Sequence, residues 1–91
     1  MTLIQKIKEI FMPSVKFYFT YNNTLPRGLM VRDKNNHRYI IPENYNKRDK
    51  KIILFDVANN EDVEITQRDL SKYRVVKQLP SEITTQALSS R

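Results

Sequence analysis

The apolar runs of this chain are all short, and most end at asparagine, aspartate or proline. Strand-sized runs between turn formers predict a mainly β domain built from short strands. Val15, Phe17, Phe19 and Tyr21 alternate with Lys16, Tyr18 and Thr20, and this period of two predicts a half-buried first strand over 15–21. Residues 22–28 are turn-forming, with the single glycine, Gly28, where a positive φ is wanted. Residues 29–32 and 37–41 read as a hairpin through Asp33-Lys34-Asn35-Asn36, since Asp and Asn tolerate left-handed geometry. Pro42 closes the second of these strands and a polar, basic loop fills 43–50. The most apolar run, 51–57, is the expected central strand. A turn at 59–62, a strand at 63–67, a bend or helical turn at 68–72 and a last strand at 73–78 complete the series.

Two segments depart from the β pattern. In residues 2–11, Leu3, Ile4, Ile7, Ile10 and Phe11 share one helical face. Thr2 and Gln5 have the spacing of a capping box, and Pro13 stops the helix. So short a helix must pack on something, and plugging one end of a barrel is its expected role; a dimer contact, here or at an edge strand, is the alternative. Beyond Pro80 the chain turns Ser/Thr-rich, so 81–91 reads as a flexible tail, with a binding-induced helix turn open to Ile83, Ala87 and Leu88. The expectation is therefore one domain over 1–80, a small SH3/Sm-like antiparallel β-barrel with an N-terminal α-helix, followed by the tail. Five or six short strands suit that architecture.

Charge narrows the function. Residues 1–50 carry ten Lys/Arg against four acids, whereas 51–91 carry six of each, so the whole net charge of +6 belongs to the first half. An asymmetry of this kind points to an anionic partner, DNA or RNA foremost. Arg27, Arg32, Lys34, Arg38, Lys47, Arg48, Lys50 and Lys51 are the candidate phosphate contacts, four of them within the five residues 47–51. Tyr39 and Tyr45, with Tyr18, lie in the same half and are candidates for stacking on bases. The competing reading is a small inhibitor or adaptor docking on an acidic protein surface, a natural role for a phage-encoded protein. A composition rich in Lys, Asn and Ile fits an AT-rich genome of that sort.

The chain offers little to catalysis or to cofactors. It holds one histidine, His37, flanked by Asn36 and Arg38 where an exposed polar residue is ordinary, and no cysteine. Its carboxylates show no metal-loop spacing, and one glycine cannot build a phosphate-cradling loop. No enzyme, metal or cofactor is expected. Without cysteine, a signal-peptide pattern or a spanning apolar run, the expectation is a soluble cytoplasmic protein with no membrane role.

The order of segments resembles that of WYL-type domains, small Sm/SH3-like barrels attached to bacterial transcription regulators and defence proteins. The similarity runs from Leu3-Ile4-Gln5-Lys6-Ile7 and Val15-Lys16-Phe17-Tyr18-Phe19 through Ile40-Ile41-Pro42 and Ile52-Ile53-Leu54, the last in the naming Trp-Tyr-Leu position. It continues through 56–65 to Arg68-Asp69-Leu70 at the closing bend. This resemblance implies the barrel and a regulatory role. Thr66 and Asp69 stand where the family typically carries arginines, so a nucleic-acid ligand would be held by other residues.

Overall fold

The computed structural model describes residues 12–89, and the helix expected at 2–11 lies outside them. Residues 15–21 are not a strand but the body of α1 (Val15–Asn22). Ser14 caps its N-terminus, the hydroxyl accepting the Phe17 N–H at 3.0 Å. Asn23 ends it in left-handed geometry, φ 63°, and donates its N–H to the Phe19 carbonyl at 2.8 Å. A step of two contains a step of four, which explains the difference. Val15 and Phe19 form one helical row and are buried, while Phe17 and Tyr21 form the next and face solvent. The alternation fits either element, and the caps favour the helix.

Among the described residues seven short strands follow: β1 (Thr24–Leu25), β2 (Leu29–Arg32), β3 (Arg38–Ile40), β4 (Tyr45–Asn46), β5 (Lys51–Asp56), β6 (Glu61–Thr66) and β7 (Arg74–Gln78). A 3-10 helix (Gln67–Lys72) joins β6 to β7, at the bend expected there. β1 and β4 pair as a two-stranded ribbon, and the other five make one antiparallel sheet in the order β6-β5-β3-β2-β7. The central strand is thus β3 rather than β5. The apolar run of β5 reflects burial on two faces, with Ile52 and Leu54 on one and Phe55 on the other. Turn chemistry follows the sequence: Asn36 closes the β2–β3 hairpin at φ 67°, Asn60 the β5–β6 turn at φ 53°, and Gly28 precedes β2 at φ 91°.

On one face of the sheet Leu29, Val31, Tyr39, Ile52 and Leu54 meet Val15 and Phe19 of α1 and Leu70 of the 3-10 helix. On the other, Ile40, Phe55 and Met30 are covered by Leu79, Ala87 and Leu88. The last two belong to α2 (Ser81–Leu88), so most of the expected flexible tail is a packed helix. Its Ser/Thr content hid it, because hydroxyls normally compete with helix formation. Here the Thr84 hydroxyl donates to the Pro80 carbonyl at 3.0 Å, and the residue is 1% exposed. Glu82 lies in the first turn, where the helix dipole favours an anion. Gly28 permits the close approach: a Cβ there would lie 2.6 Å from Thr84 Oγ1 and 2.9 Å from Gln78 Nε2. No helix among the described residues is long and apolar enough to cross a membrane.

Leu54 is fully buried. Leu54→Ala should cost ~2–5 kcal/mol in urea unfolding, since so small a core cannot collapse around the cavity. A change below ~1 kcal/mol would place the side chain outside the core.

Candidate nucleic-acid interface

Three arginines stand in one rung of the sheet. Arg32 on β2 pairs in register with Arg38 on β3 and with Arg74 on β7, so all three project from the same face. Directly opposed like charges destabilise a sheet. Among the described residues no acid comes within ion-pair distance of any of them. Arg32 and Arg38 are only half exposed, which weakens the relief that water gives such a row. Arg32 Nη1 donates to the Asp33 carbonyl at 3.3 Å, and Arg74 Nη1 to the Met12 carbonyl at 3.2 Å.

Beside this row opens a cleft of about 770 Å³ between the β2–β3 turn and the end of the 3-10 helix. Arg32, Lys34, Lys72 and Arg74 line it, with Asp33 and Tyr73. Asp33 is committed to the turn: its carboxylate accepts the N–H groups of Asn35 (2.9 Å) and His37 (3.0 Å) and the Tyr39 hydroxyl (3.0 Å). Partial burial opposes its ionisation, but these hydrogen bonds and the His37 ring, 3.4 Å away, outweigh it and hold the carboxyl below its usual range. Burial pushes the Tyr39 phenol up to about 12, assisted by the bond to Asp33 and the nearby carboxylates.

A second basic cleft, of about 690 Å³, is lined by Lys47, Lys50 and Arg68 with Thr66, Gln67 and Asp69. The loop that supplies Lys47 and Lys50 is pinned from within and without. Asn46 Oδ1 accepts the Arg48 N–H at 2.8 Å, and Asp49 Oδ2 accepts the Asn46 N–H at 2.9 Å. Gln67 Nε2 donates to the carbonyls of Lys47 (3.0 Å) and Asp49 (2.8 Å). Asp69, the cleft's one acid, accepts from the Thr66 N–H (3.1 Å) and hydroxyl (3.2 Å) and pairs with Lys72 at 3.3 Å. Those hydrogen bonds, the Thr66 N–H first, lower its carboxyl from the ordinary value.

The expected contact residues therefore divide. Arg32, Lys34 and Arg38 gather at the first cleft and its row; Lys47, Arg48 and Lys50 gather at the second, where Arg48 lies in the same turn. Arg27 joins neither, because it sits in the turn before β2, at the far end of that strand from Arg32, with its carbonyl held by Gln78 Nε2 at 2.9 Å. Lys51 is partnered by Glu64 at 3.5 Å. Tyr39 and Tyr45 are 8% and 5% exposed and belong to the core, so their ring faces cannot receive bases. Tyr39 meets Tyr73 edge-on at 5.5 Å, and the Tyr45 hydroxyl accepts the Ile53 N–H at 3.0 Å. Tyr18 is half buried against the same core. Sequence reasoning passed over Arg68, Lys72 and Arg74, because the second half is neutral as a whole. The available signal was the alternation of Arg74 with the apolar Tyr73 and Val75.

The two clefts are joined by α1 and the 3-10 helix, which pack together. At its start, Ser14 bridges to Arg74 and the Val15 N–H reaches the Tyr73 carbonyl at 2.9 Å, beside the first cleft. Near its end, Lys47 Nζ of the second cleft donates to the Thr20 carbonyl at 3.4 Å. The 3-10 helix runs the other way, from Gln67 in the second cleft to Lys72 in the first. Comparison with known proteins finds no matching family model, curated protein or solved structure.

The depressed Asp33 carboxyl sets a pH dependence. A carboxyl held below its ordinary 3.8 stabilises the fold above that value, and the stabilisation is lost as pH falls through the folded-state value. Unfolding free energy should therefore drop as pH is lowered from ~5 to ~2. Asp33→Asn should be less stable at neutral pH and show a shallower acid limb. Parallel acid limbs in the two proteins would contradict this role, since Asp69 contributes equally to both.

Proposed function

We propose that this protein is a non-catalytic nucleic-acid-binding module that tracks phosphates across two basic clefts. The observation that carries the reading is the Arg38–Arg32–Arg74 rung. It sets like charges side by side, with no acid at ion-pair distance among the described residues, and a bound polyanion would relieve their repulsion. Planar guanidinium groups suit phosphate oxygens, and several such contacts yield binding with a steep salt dependence. The second cleft repeats the chemistry with Lys47, Lys50 and Arg68.

The fold reading that accompanies it is an SH3-like barrel of the kind seen in WYL-type domains. It is supported by the succession of β2, β3, β5 and β6, then the 3-10 bend, then the return of β7 beside β2. The bulge between Met30 and Val31 adds the bend that a curling sheet needs. Docking on an acidic protein by strand addition is less well served. Edge strand β6 carries Glu61, Asp62 and Glu64, which have the wrong sign for such a partner.

Fluorescence anisotropy with labelled DNA and RNA tests the reading. Replacing Arg32, Arg38 and Arg74 together by glutamine should weaken binding more than tenfold at ~50 mM salt. The dependence of log K on log salt should flatten by about 2–3, one unit or slightly less per lost phosphate contact. The triple Lys47→Gln, Lys50→Gln, Arg68→Gln should act in the same direction. Unchanged affinity and slope in both triples would remove the clefts from the interface.

A further inference from the structure

We propose that Phe17 and Tyr21 form a stacking platform for unpaired bases, which makes the interface selective for single-stranded nucleic acid. The inference rests on the nucleic-acid reading above and supplies the aromatic surface that Tyr39 and Tyr45 cannot. α1 buries Val15 and Phe19 and leaves Phe17 and Tyr21 62% and 77% exposed. Their rings stack on each other, centroids 6.2 Å apart and planes 14° from parallel. Among the described residues the contact between α1 and the core is made by Val15 and Phe19, with Tyr18 half buried beside them, and needs neither ring. Two large aromatic rings held in water at a helical spacing are a surface kept for a flat, apolar partner.

Position identifies that partner as a nucleobase. Exposed Lys16 adjoins Phe17 in the chain, and Lys47 is anchored on the Thr20 carbonyl, one residue before Tyr21. Arg74 stands at Ser14, at the other end of the helix. Eight residues of helix span about 12 Å, so the rings lie within a few nucleotides' reach of a cation at either end of α1. A strand whose backbone engages both clefts can run beside α1, which packs on the 3-10 helix that links them. Its bases can reach the rings only if their faces are free, as in a single strand and not within a duplex. Stacking of this type tolerates any base, because every base presents a π-face.

The test compares wild type with Phe17→Ala/Tyr21→Ala and with the ring-preserving Phe17→Tyr/Tyr21→Phe. The probes are labelled dT15, rU15 and a blunt hairpin duplex at ~50 mM salt. Both side chains are exposed, so far-UV circular dichroism should show the fold unchanged. The alanine pair should lose about tenfold or more on dT15 or rU15 and little on the duplex, with the salt slope kept. The ring-preserving pair should bind like wild type. Equal losses on single strand and duplex, or no loss on either, would overturn the platform while leaving the phosphate reading intact. A changed oligomeric state with no strand-specific loss would assign the rings to a protein contact instead and also overturn it. If wild type bound none of the three probes, the nucleic-acid reading itself would fall.

Discussion

Pairing of β7 with β2 organises the rest of the molecule. It joins residues 29–32 to residues 74–78 across most of the chain, a closure whose entropy cost must be met by what the pairing brings together. It brings together a great deal. The outer side of β7 receives residues 13–15, with the Val75 N–H on the Pro13 carbonyl at 3.0 Å, and so seats α1 over the core. The Leu79 N–H bonds the Gly28 carbonyl at 2.9 Å, directing the chain into α2 on the opposite face. The same register sets Arg74 beside Arg32. Both helices and the arginine rung thus depend on one strand pair.

Folding also sorts charge in a way that the linear order conceals. The neutral second half separates into an acidic strand, β6, at one edge of the sheet and a run of cations that starts with Arg68 just past β6 and continues through Lys72 to Arg74 on β7 at the other edge. Those cations complete the two clefts begun by Arg32, Lys34, Lys47 and Lys50. Each cleft retains one carboxylate, Asp33 or Asp69, and each is saturated by hydrogen bonds that shape the neighbouring turn. Such a carboxylate stays ionised and still opposes a phosphate, but its hydrogen bonds hold it in the turn while the surrounding cations outnumber it. The clefts are accordingly preorganised rather than merely basic.

The β elements were legible where turn chemistry was explicit. Asn36, Asn60 and Gly28 mark positive-φ corners, and β2, β3, β5, β6 and β7 fall near the expected places, whereas the two-residue β1 and β4 lie in segments that read as a turn and a loop. The helices were not, for different physical reasons. α1 satisfies two periodicities at once, and its choice depends on Ser14 and Asn23 at its ends and on the burial of only one aromatic row. α2 is Ser/Thr-rich, and its stability comes from tertiary contacts of Thr84, Ala87 and Leu88 that no local pattern announces. At the site, the half-by-half charge count found Arg32, Lys34, Arg38, Lys47 and Lys50 but passed over Arg68, Lys72 and Arg74, since acids elsewhere in the second half masked them. Tyrosine content misled because a phenol can be buried when its hydroxyl finds a partner, as Tyr39 and Tyr45 do.

The proposed interface is one continuous surface that runs from the β2–β3 turn, along α1 and the 3-10 helix, to the loop at Lys47–Lys50. Its most direct test is amide chemical-shift mapping of the full chain during titration with unlabelled dT15. Shifts concentrated at residues 14–21, 32–35, 47–50 and 67–74, and sparse on β6 and α2, are the predicted result. Shifts centred on β6 or α2, or confined to one cleft with α1 untouched, would contradict the account.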